Sequence, residues 1–377
     1  MKHERKQAIL IDLIDPSMRP EDSRRRLREL EELVRTYRGV SVVKKYQKRR
    51  APDPKTYIGS GKVEELMELG NEVNADVLIL NGHLKPRQMY TLEQMLKPAG
   101  MKVWDRIDLI LKIFSKHAST AEAKLEIELA KIRHMGPRIY GMGEELSRQG
   151  GGIGTSGIGE TNTEIMQRHL QEKEQNIKKK LEKYKKVRQG HRKNRKRKNL
   201  RTVSLVGYTN AGKTTLLNAL TGRNEEAEDK LFATLDTRVG KLFLPGLRRN
   251  VLVSDTIGFI QDLPPELLSA FTSTLSEAVD ADVLLEVVDA SDDRSDEQMD
   301  VVEDILERLE IAGTQRIVVF NKIDQADDEK RLELLRKARE QDQPHVFVSA
   351  VEGDGLDALK MEIEDRIGEI VRPKVWN

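Results

Sequence analysis

Residues Gly207-Tyr208-Thr209-Asn210-Ala211-Gly212-Lys213-Thr214 fit the spacing G-x-x-x-x-G-K-[ST] of a phosphate-binding loop. The apolar run Arg201-Thr-Val-Ser-Leu-Val206 before it reads as a buried strand, and Thr215-Leu-Leu-Asn-Ala-Leu220 after it as a helix. Strand, glycine loop and helix in that order commit this part of the chain to an α/β sheet. Glycine lets backbone N–H groups approach anionic oxygens, and a helix N-terminus favours them. In such a loop Lys213 reaches the β- and γ-phosphates, and the Thr214 hydroxyl holds Mg²⁺.

Downstream, apolar runs close on polar motifs in a fixed order. Val251-Leu-Val-Ser254 ends at Asp255-Thr256-Ile257-Gly258. An Asp there holds Mg²⁺, and the Gly frees an N–H for the γ-phosphate. Its place one strand after the loop gives this common pattern weight. Asp282–Val288 is the next expected strand. Arg316–Phe320 runs into Asn321-Lys322-Ile323-Asp324, and Pro344–Val348 into Ser349-Ala350-Val351. Helices are expected over about 265–279, 295–311, 328–341 and 355–370. Ligands of such sheets sit at the carboxyl ends of the strands, where all these motifs lie.

The first half alternates in the same way. Strands are expected at 7–14, 40–43, 76–80 and 102–104, with helices at 20–37, 61–73, 86–97 and 105–115. This spacing predicts a small α/β domain with a largely parallel sheet. Tyr57-Ile-Gly-Ser-Gly-Lys62 opens one helix. A second phosphate site and a tight strand-to-helix turn both account for it.

A helical pattern from Ser119 to His134 carries Leu125, Leu129 and Ile132 on one face, and Gly136-Pro137 is expected to break it. The segment up to Gly159 holds the glycine loop Gly150–Gly159. A charged helical run then extends from Thr161 to about Lys198, with a thin apolar seam of Ile177, Leu181 and Tyr184. Two helices joined by a glycine loop predict a helical hairpin.

Charge divides the chain. Of 65 Lys/Arg and 63 Asp/Glu, residues 202–377 hold 20 and 36, so residues 1–201 hold 45 and 27. The basic excess peaks in Lys178-Lys-Lys180, Lys183, Lys185, Lys186, Arg188 and Arg192-Lys-Asn-Arg-Lys-Arg-Lys198. With few acidic neighbours at helical spacing, neutralisation by RNA phosphates is the expected role. Aromatics are only 4% of the chain, which favours backbone contact with folded RNA over base stacking. Cysteine is absent, which excludes a disulfide frame and fits a reducing, cytoplasmic setting. No apolar run approaches a membrane span, and no secretory signal opens the chain.

The motif set resembles the translation-factor-like GTPases. An ionised Asp only accepts hydrogen bonds, and guanine presents N–H donors where adenine has an acceptor at N1. Asp324 is therefore expected to select guanine, with Asn321 and Lys322 framing the base as the resemblance implies. Within that class the chain is similar to the HflX family, on Leu231-Phe232-Ala233-Thr234-Leu235-Asp236, Asp255-Thr256-Ile257-Gly258-Phe259-Ile260 and the Gly150–Gly159 loop followed by Glu160. The resemblance covers almost the whole chain. It implies an N-terminal α/β domain (1–115), a helical hairpin (116–199) and a G domain (200–377). It further implies GTP and GDP as ligands and Thr234 as the switch threonine on Mg²⁺. The implied partner is the large ribosomal subunit, bound through the basic N-terminal half by a monomer that splits or rescues stalled ribosomes. Two departures stand out: the chain ends at Asn377 where some members carry a further domain, and Asp236-Thr-Arg lacks a following proline that many members have.

A nucleotide-driven RNA-remodelling enzyme, using a second nucleotide at Gly59–Lys62, is the alternative. Phe259 follows Gly258 where Ras-like enzymes have a water-orienting Gln, so intrinsic hydrolysis is expected to be slow. Asn210 matches the asparagine that coordinates K⁺ in potassium-activated GTPases. It equally suits a tight loop, so Mg²⁺ is the expected ion and K⁺ a second candidate.

Overall fold

Alternating apolar runs and amphipathic helices build two sheets in the computed structural model, which describes residues 5–149, 162–223, 231–232, 238–261, 267, 272–340 and 343–371. By contacts the chain divides into two units: Met1–Lys116 with Lys124–Leu181, and His117–Ala123 with Glu182–Asn377.

The first unit alternates β1 (Gln7–Ile14), α1 (Pro20–Thr36), β2 (Val40–Lys48), α2 (Ser60–Glu72), β3 (Val77–Leu80), α3 (Pro86–Leu96), β4 (Lys102–Asp105) and α4 (Arg106–His117). α1 starts on Pro20, whose fixed φ suits a first turn, with Glu21 and Asp22 at the positive end of the helix dipole. Its buried stripe is Leu27, Leu30, Leu33 and Val34. The strands run parallel in the order β2-β1-β3-β4. Ile9, Ile11, Leu66, Leu78, Leu80 and Leu92 pack in one core. Because the order reverses at β1, loops diverge from the carboxyl ends of β1 and β3.

α5 (Ala121–Gln149) and α6 (Asn162–Arg197) follow. Within the first unit, where α6 reaches Leu181, they lie side by side: Arg133 bonds Glu174 at 3.2 Å and Lys173 pairs with Glu128 at 2.7 Å. The expected break at Gly136-Pro137 is absent, and α5 runs through it. A proline inside a helix costs about 3 kcal/mol. Here the turn is pinned on both sides: His134 and Arg138 both engage Asp105 and Asp108. These long-range partners fix the helix on both sides of the proline. The Gly150–Gly159 loop and Glu160 lie outside the described residues.

The second unit holds β5 (Thr202–Gly207), α7 (Lys213–Thr221), β6 (Arg238–Leu244), β7 (Arg249–Asp255), α8 (Thr272–Val279), β8 (Val283–Asp289), α9 (Ser295–Arg308), β9 (Arg316–Asn321), α10 (Asp328–Glu340), β10 (His345–Phe347) and α11 (Leu356–Val371). The sheet order is β10-β9-β8-β5-β7-β6. All strands are parallel except β6, which pairs antiparallel with β7 across the Pro245–Arg248 turn. β6 has no counterpart among the expected strands, so Asp255 lies two strands after the phosphate loop along the chain, not one. In space β7 is nonetheless the direct neighbour of β5. Leu359, Ile363 and Ile367 of α11 recur at helical spacing. They are fully buried in one core with Val203 and Leu205 of β5, Leu285 of β8, and Ile317 and Val319 of β9.

Candidate functional site

The carboxyl end of β5 turns into the phosphate loop under close constraint. Gly207 has φ of 144°, and a Cβ there would lie 2.3 Å from the Val287 carbonyl oxygen of β8. On the other side the Asp255–Phe259 segment docks on the loop. The Phe259 N–H donates to the Gly207 oxygen (3.0 Å), and the Thr209 N–H to the Phe259 oxygen (2.7 Å). At Gly258 a Cβ would meet the Thr209 Cα at 2.7 Å, so only glycine permits this approach. Phe259 is buried, Tyr208 accepts the Gln261 N–H at its hydroxyl (2.9 Å), and Thr256 donates to the Leu205 oxygen (2.7 Å).

Lys213, at the start of α7, is buried and curls back over its own loop. Its Nζ donates to the carbonyls of Tyr208 (2.6 Å) and Gly207 (3.2 Å). Burial pushes its pKa down to about 8, against the pull of the nearby Asp255 carboxylate. Beside it the Thr214 hydroxyl donates to Asp255 Oδ2 at 2.7 Å, joining α7 to the end of β7. This hydroxyl and carboxylate are an all-oxygen donor set, the kind a hard divalent cation such as Mg²⁺ takes.

A second group gathers at the ends of β9 and β10. Asn321 donates from Nδ2 to the Ala211 carbonyl (2.9 Å) and accepts the Ala350 N–H at Oδ1 (3.0 Å). One side chain thus ties the phosphate loop to the Ser349–Val351 turn. Lys322 has φ of 62°, and its Nζ pairs with Asp289 at 2.7 Å. Ser349 donates to Asp324 Oδ1 at 2.7 Å and accepts the Glu352 N–H at 3.1 Å. The Ser349 bond, above all, holds the Asp324 carboxyl below its usual pKa, so Asp324 is an acceptor at neutral pH. The Ile323 N–H reaches the Val348 oxygen, and Val351 is exposed.

The structure therefore brings Gly207–Thr214, Asp255–Gly258, Asn321–Asp324 and Ser349–Ala350 to one edge of one sheet. Asn210 sits at φ of 63°, a left-handed conformation asparagine accepts readily. Phe232 is buried, and its carbonyl oxygen lies 3.2 Å from His117 Nδ1. Ala233, Thr234, Leu235 and Asp236 lie outside the described residues. Asp289 is a site residue that no motif singles out. Its one signal in the sequence is its place at the end of a buried strand, next to the strand that carries Lys322.

Family models match the chain in three consecutive pieces. They describe a GTP-binding GTPase N-terminal region (24–115), a GTP-binding GTPase middle region (117–195) and a 50S ribosome-binding GTPase (202–322). The GTPase HflX of Caldanaerobacter subterraneus is 43% identical, over 97% of this chain and 81% of its own length. The GTPase HflX of Escherichia coli K12 is 37% identical, over 92% of this chain and 80% of its own. The chain belongs to the HflX GTPase family. Among solved structures, the SsGBP and GDP complex matches with a TM-score of 0.55 and 26% identity, over 97% of this chain and 100% of that one. A GTP-binding protein from the hyperthermophilic archaeon Sulfolobus solfataricus in complex with GDP matches at 0.50 and 26%, over 97% and 99%.

Two features outside the phosphate loop bear on readings the sequence left open. At the Gly59–Lys62 turn, the Gly59 N–H donates to Gln47 Oε1 at 2.9 Å, and Lys62 Nζ is held by both Glu65 oxygens at 2.8 and 2.7 Å. The turn is closed on partners from its own unit. In the basic run, acidic partners come from other elements. Arg192 pairs with Asp280 at 2.6 Å, Arg195 with Glu277 at 3.1 Å, and Arg188 with Glu122. Lys193, Arg197 and Lys198 remain exposed. No helix among the described residues is long and apolar enough to cross a membrane.

Proposed function

We propose that this GTPase is a factor that binds the large ribosomal subunit and splits or rescues stalled ribosomes, gripping rRNA with its basic half. The supporting observation is the pairing of an assembled phosphate loop, in a domain matched by a 50S ribosome-binding GTPase model, with a first half in strong basic excess. In this reading Gly207–Thr214 cradle the phosphates and Lys213 exchanges its loop carbonyls for β- and γ-phosphate oxygens. Thr214 and Thr234 would hold Mg²⁺, which would neutralise phosphate charge, with Asp255 bonded to the Thr214 hydroxyl. The Gly258 N–H would meet the γ-phosphate, and Phe232, Ala233, Leu235 and Asp236 would contribute to the GTP site with Thr234. Asn321, Lys322, Ile323, Asp324 and the Ser349–Val351 turn frame guanine. The protein works as a cytoplasmic monomer in three parts, divided near residues 115 and 199.

Because Phe259 is buried and offers no polar group to a water, hydrolysis depends on help from elsewhere. The test is GTP turnover by the full chain with and without purified large subunits, in KCl and in NaCl at equal ionic strength. Stimulation by subunits in either salt supports the ribosomal reading, and its absence in both counts against it. Stimulation by K⁺ that disappears in Asn210→Ala assigns the potassium role to Asn210. Equal rates in the two salts leave Asn210 as a loop-forming residue.

A further inference from the structure

The first unit carries a cluster that the nucleotide chemistry does not use. It lies at the carboxyl edge of the parallel sheet, where such folds place ligands. His83 is in the loop after β3, Asp105 ends β4, Asp108 is in the first turn of α4, and His134 and Arg138 are one turn apart on α5. His83, Asp105 and His134 each present a ligand atom, and the three atoms lie within 4.8 Å of one another. Asp105 is fully buried and His134 nearly so, whereas His83 faces solvent.

The inner spacing is that of donors around one ion. His134 Nε2 lies 3.3 Å from Asp105 Oδ1 and 3.2 Å from Asp108 Oδ1. Four ligands at tetrahedral corners, with bonds of about 2.0–2.1 Å, stand about 3.3–3.4 Å apart. The other oxygen of each carboxylate is already held. Arg138 takes Asp105 Oδ2 at 2.5 Å and Asp108 Oδ2 at 2.8 Å, and the Leu84 N–H donates to Asp105 Oδ2 at 3.2 Å. The Asp108 N–H also donates to Asp105 Oδ1 at 2.8 Å, fixing that carboxylate's plane. Outer bonds of this kind orient ligating carboxylates in metal sites.

We propose that His83, Asp105 and His134, with Asp108 as the fourth donor, form a site for a divalent transition-metal ion of the Zn²⁺ class. Imidazole and carboxylate donors, three of them gathered within 4.8 Å and Asp108 beside His134, suit that class rather than Mg²⁺ or Ca²⁺. Arg138 Nη2, the atom that holds Asp105 Oδ2, also lies 2.7 Å from His134 Nε2, so an incoming ion has to displace it from that nitrogen. His83 Nδ1 stands on the solvent side, 3.8 Å from Asp105 Oδ2, and would have to turn toward the other donors to complete the site.

The test uses the full chain, stripped with a chelator and free of nucleotide, titrated with Co²⁺ and then Zn²⁺. Four-coordinate Co²⁺ absorbs visible light far more strongly than the hydrated ion. The native chain is expected to show that band at one equivalent of Co²⁺ and to lose it on adding one equivalent of Zn²⁺. His83→Ala changes a solvent-facing residue, leaves the fold intact, and is expected to weaken Co²⁺ binding at least tenfold. His134→Gln, checked for folding by circular dichroism, is expected to abolish the band. A native chain with no band, or an unchanged affinity in His83→Ala, overturns the proposal and leaves the cluster as an ion-pair lock between α4 and α5.

Discussion

Lys213 is both the group that meets phosphate in the proposed reading and a buried cation with a pKa of about 8. A nucleotide brings negative charge to it and raises that pKa, so binding at pH 8 is expected to take up about half a proton from the buffer. Calorimetry in buffers of different ionisation enthalpy measures this directly. A binding heat that does not change with the buffer would mean that Lys213 is already fully charged before nucleotide arrives or does not meet the phosphates. At the guanine end, Ser349 can still donate to an amide oxygen, more weakly than to the carboxylate, so Asp324→Asn keeps the contact that holds the turn. It replaces one acceptor by a donor, which is expected to weaken GTP and admit xanthosine triphosphate. Unchanged GTP affinity in that variant would sink the guanine assignment. Glu286 makes a different kind of test. Buried in the centre of β8, it is pushed up to about 7 from an ordinary 4.5 by burial, with Arg316 pulling the other way. Between pH 4.5 and 7 the folded chain holds this proton and the unfolded chain does not. Stability from this group therefore falls as pH rises through that window and levels off above it. Glu286→Gln is expected to flatten the slope and to stabilise the second unit above pH 7 by about 1–3 kcal/mol. Denaturant unfolding on either side of the window, at about pH 5 and about pH 8, reads it, and equal gains at both would refute the account.

At the scale of elements, the strands and helices of both sheets were legible because each rests on a local pattern. β1 begins and ends where its apolar run does, and α1 differs from its expected span by one residue. Two failures share one cause, which is that partners distant in sequence decide the outcome. Gly136-Pro137 carries a strong local breaking signal, yet His134 and Arg138 find Asp105 and Asp108, about thirty residues back along the chain. β6 alternates too weakly to stand out and becomes a strand because β7 pairs with it. The motif positions were legible for the same local reason, whereas Asp289 was not, since only the sheet order sets it beside Lys322. In the basic end of α6, the partners of Arg188, Arg192 and Arg195 were invisible for the same reason. They redirect the expected RNA contact to Lys193, Arg197 and Lys198. Changing these three to Gln is expected to lower the slope of log affinity for large subunits against log salt by about 2–3 at most. Arg195→Gln alone should leave that slope nearly unchanged, because its charge is already matched. A triple variant with the native slope would make the run a solvated helix face.

For the whole molecule, the order of the second sheet carries a consequence for timing. The central strand β5 pairs on one side with β7, from Thr202 to Leu252, and on the other with β8, from Val203 to Val283. Both neighbours must arrive from far along the chain, whereas the β6–β7 hairpin closes over one short turn and α7 needs only its own residues. Distant closures cost more entropy and come later in folding. Gly207 is pressed against Val287 of β8 and bonded to Phe259 beyond β7, so the phosphate loop acquires its shape only when both distant neighbours are in place. During refolding from denaturant, helical ellipticity is expected to return before a fluorescent GDP analogue can bind. Binding that keeps pace with the earliest ellipticity would mean that the loop forms on its own. A late-forming loop also means that a nascent chain cannot recognise nucleotide until β8 has been made.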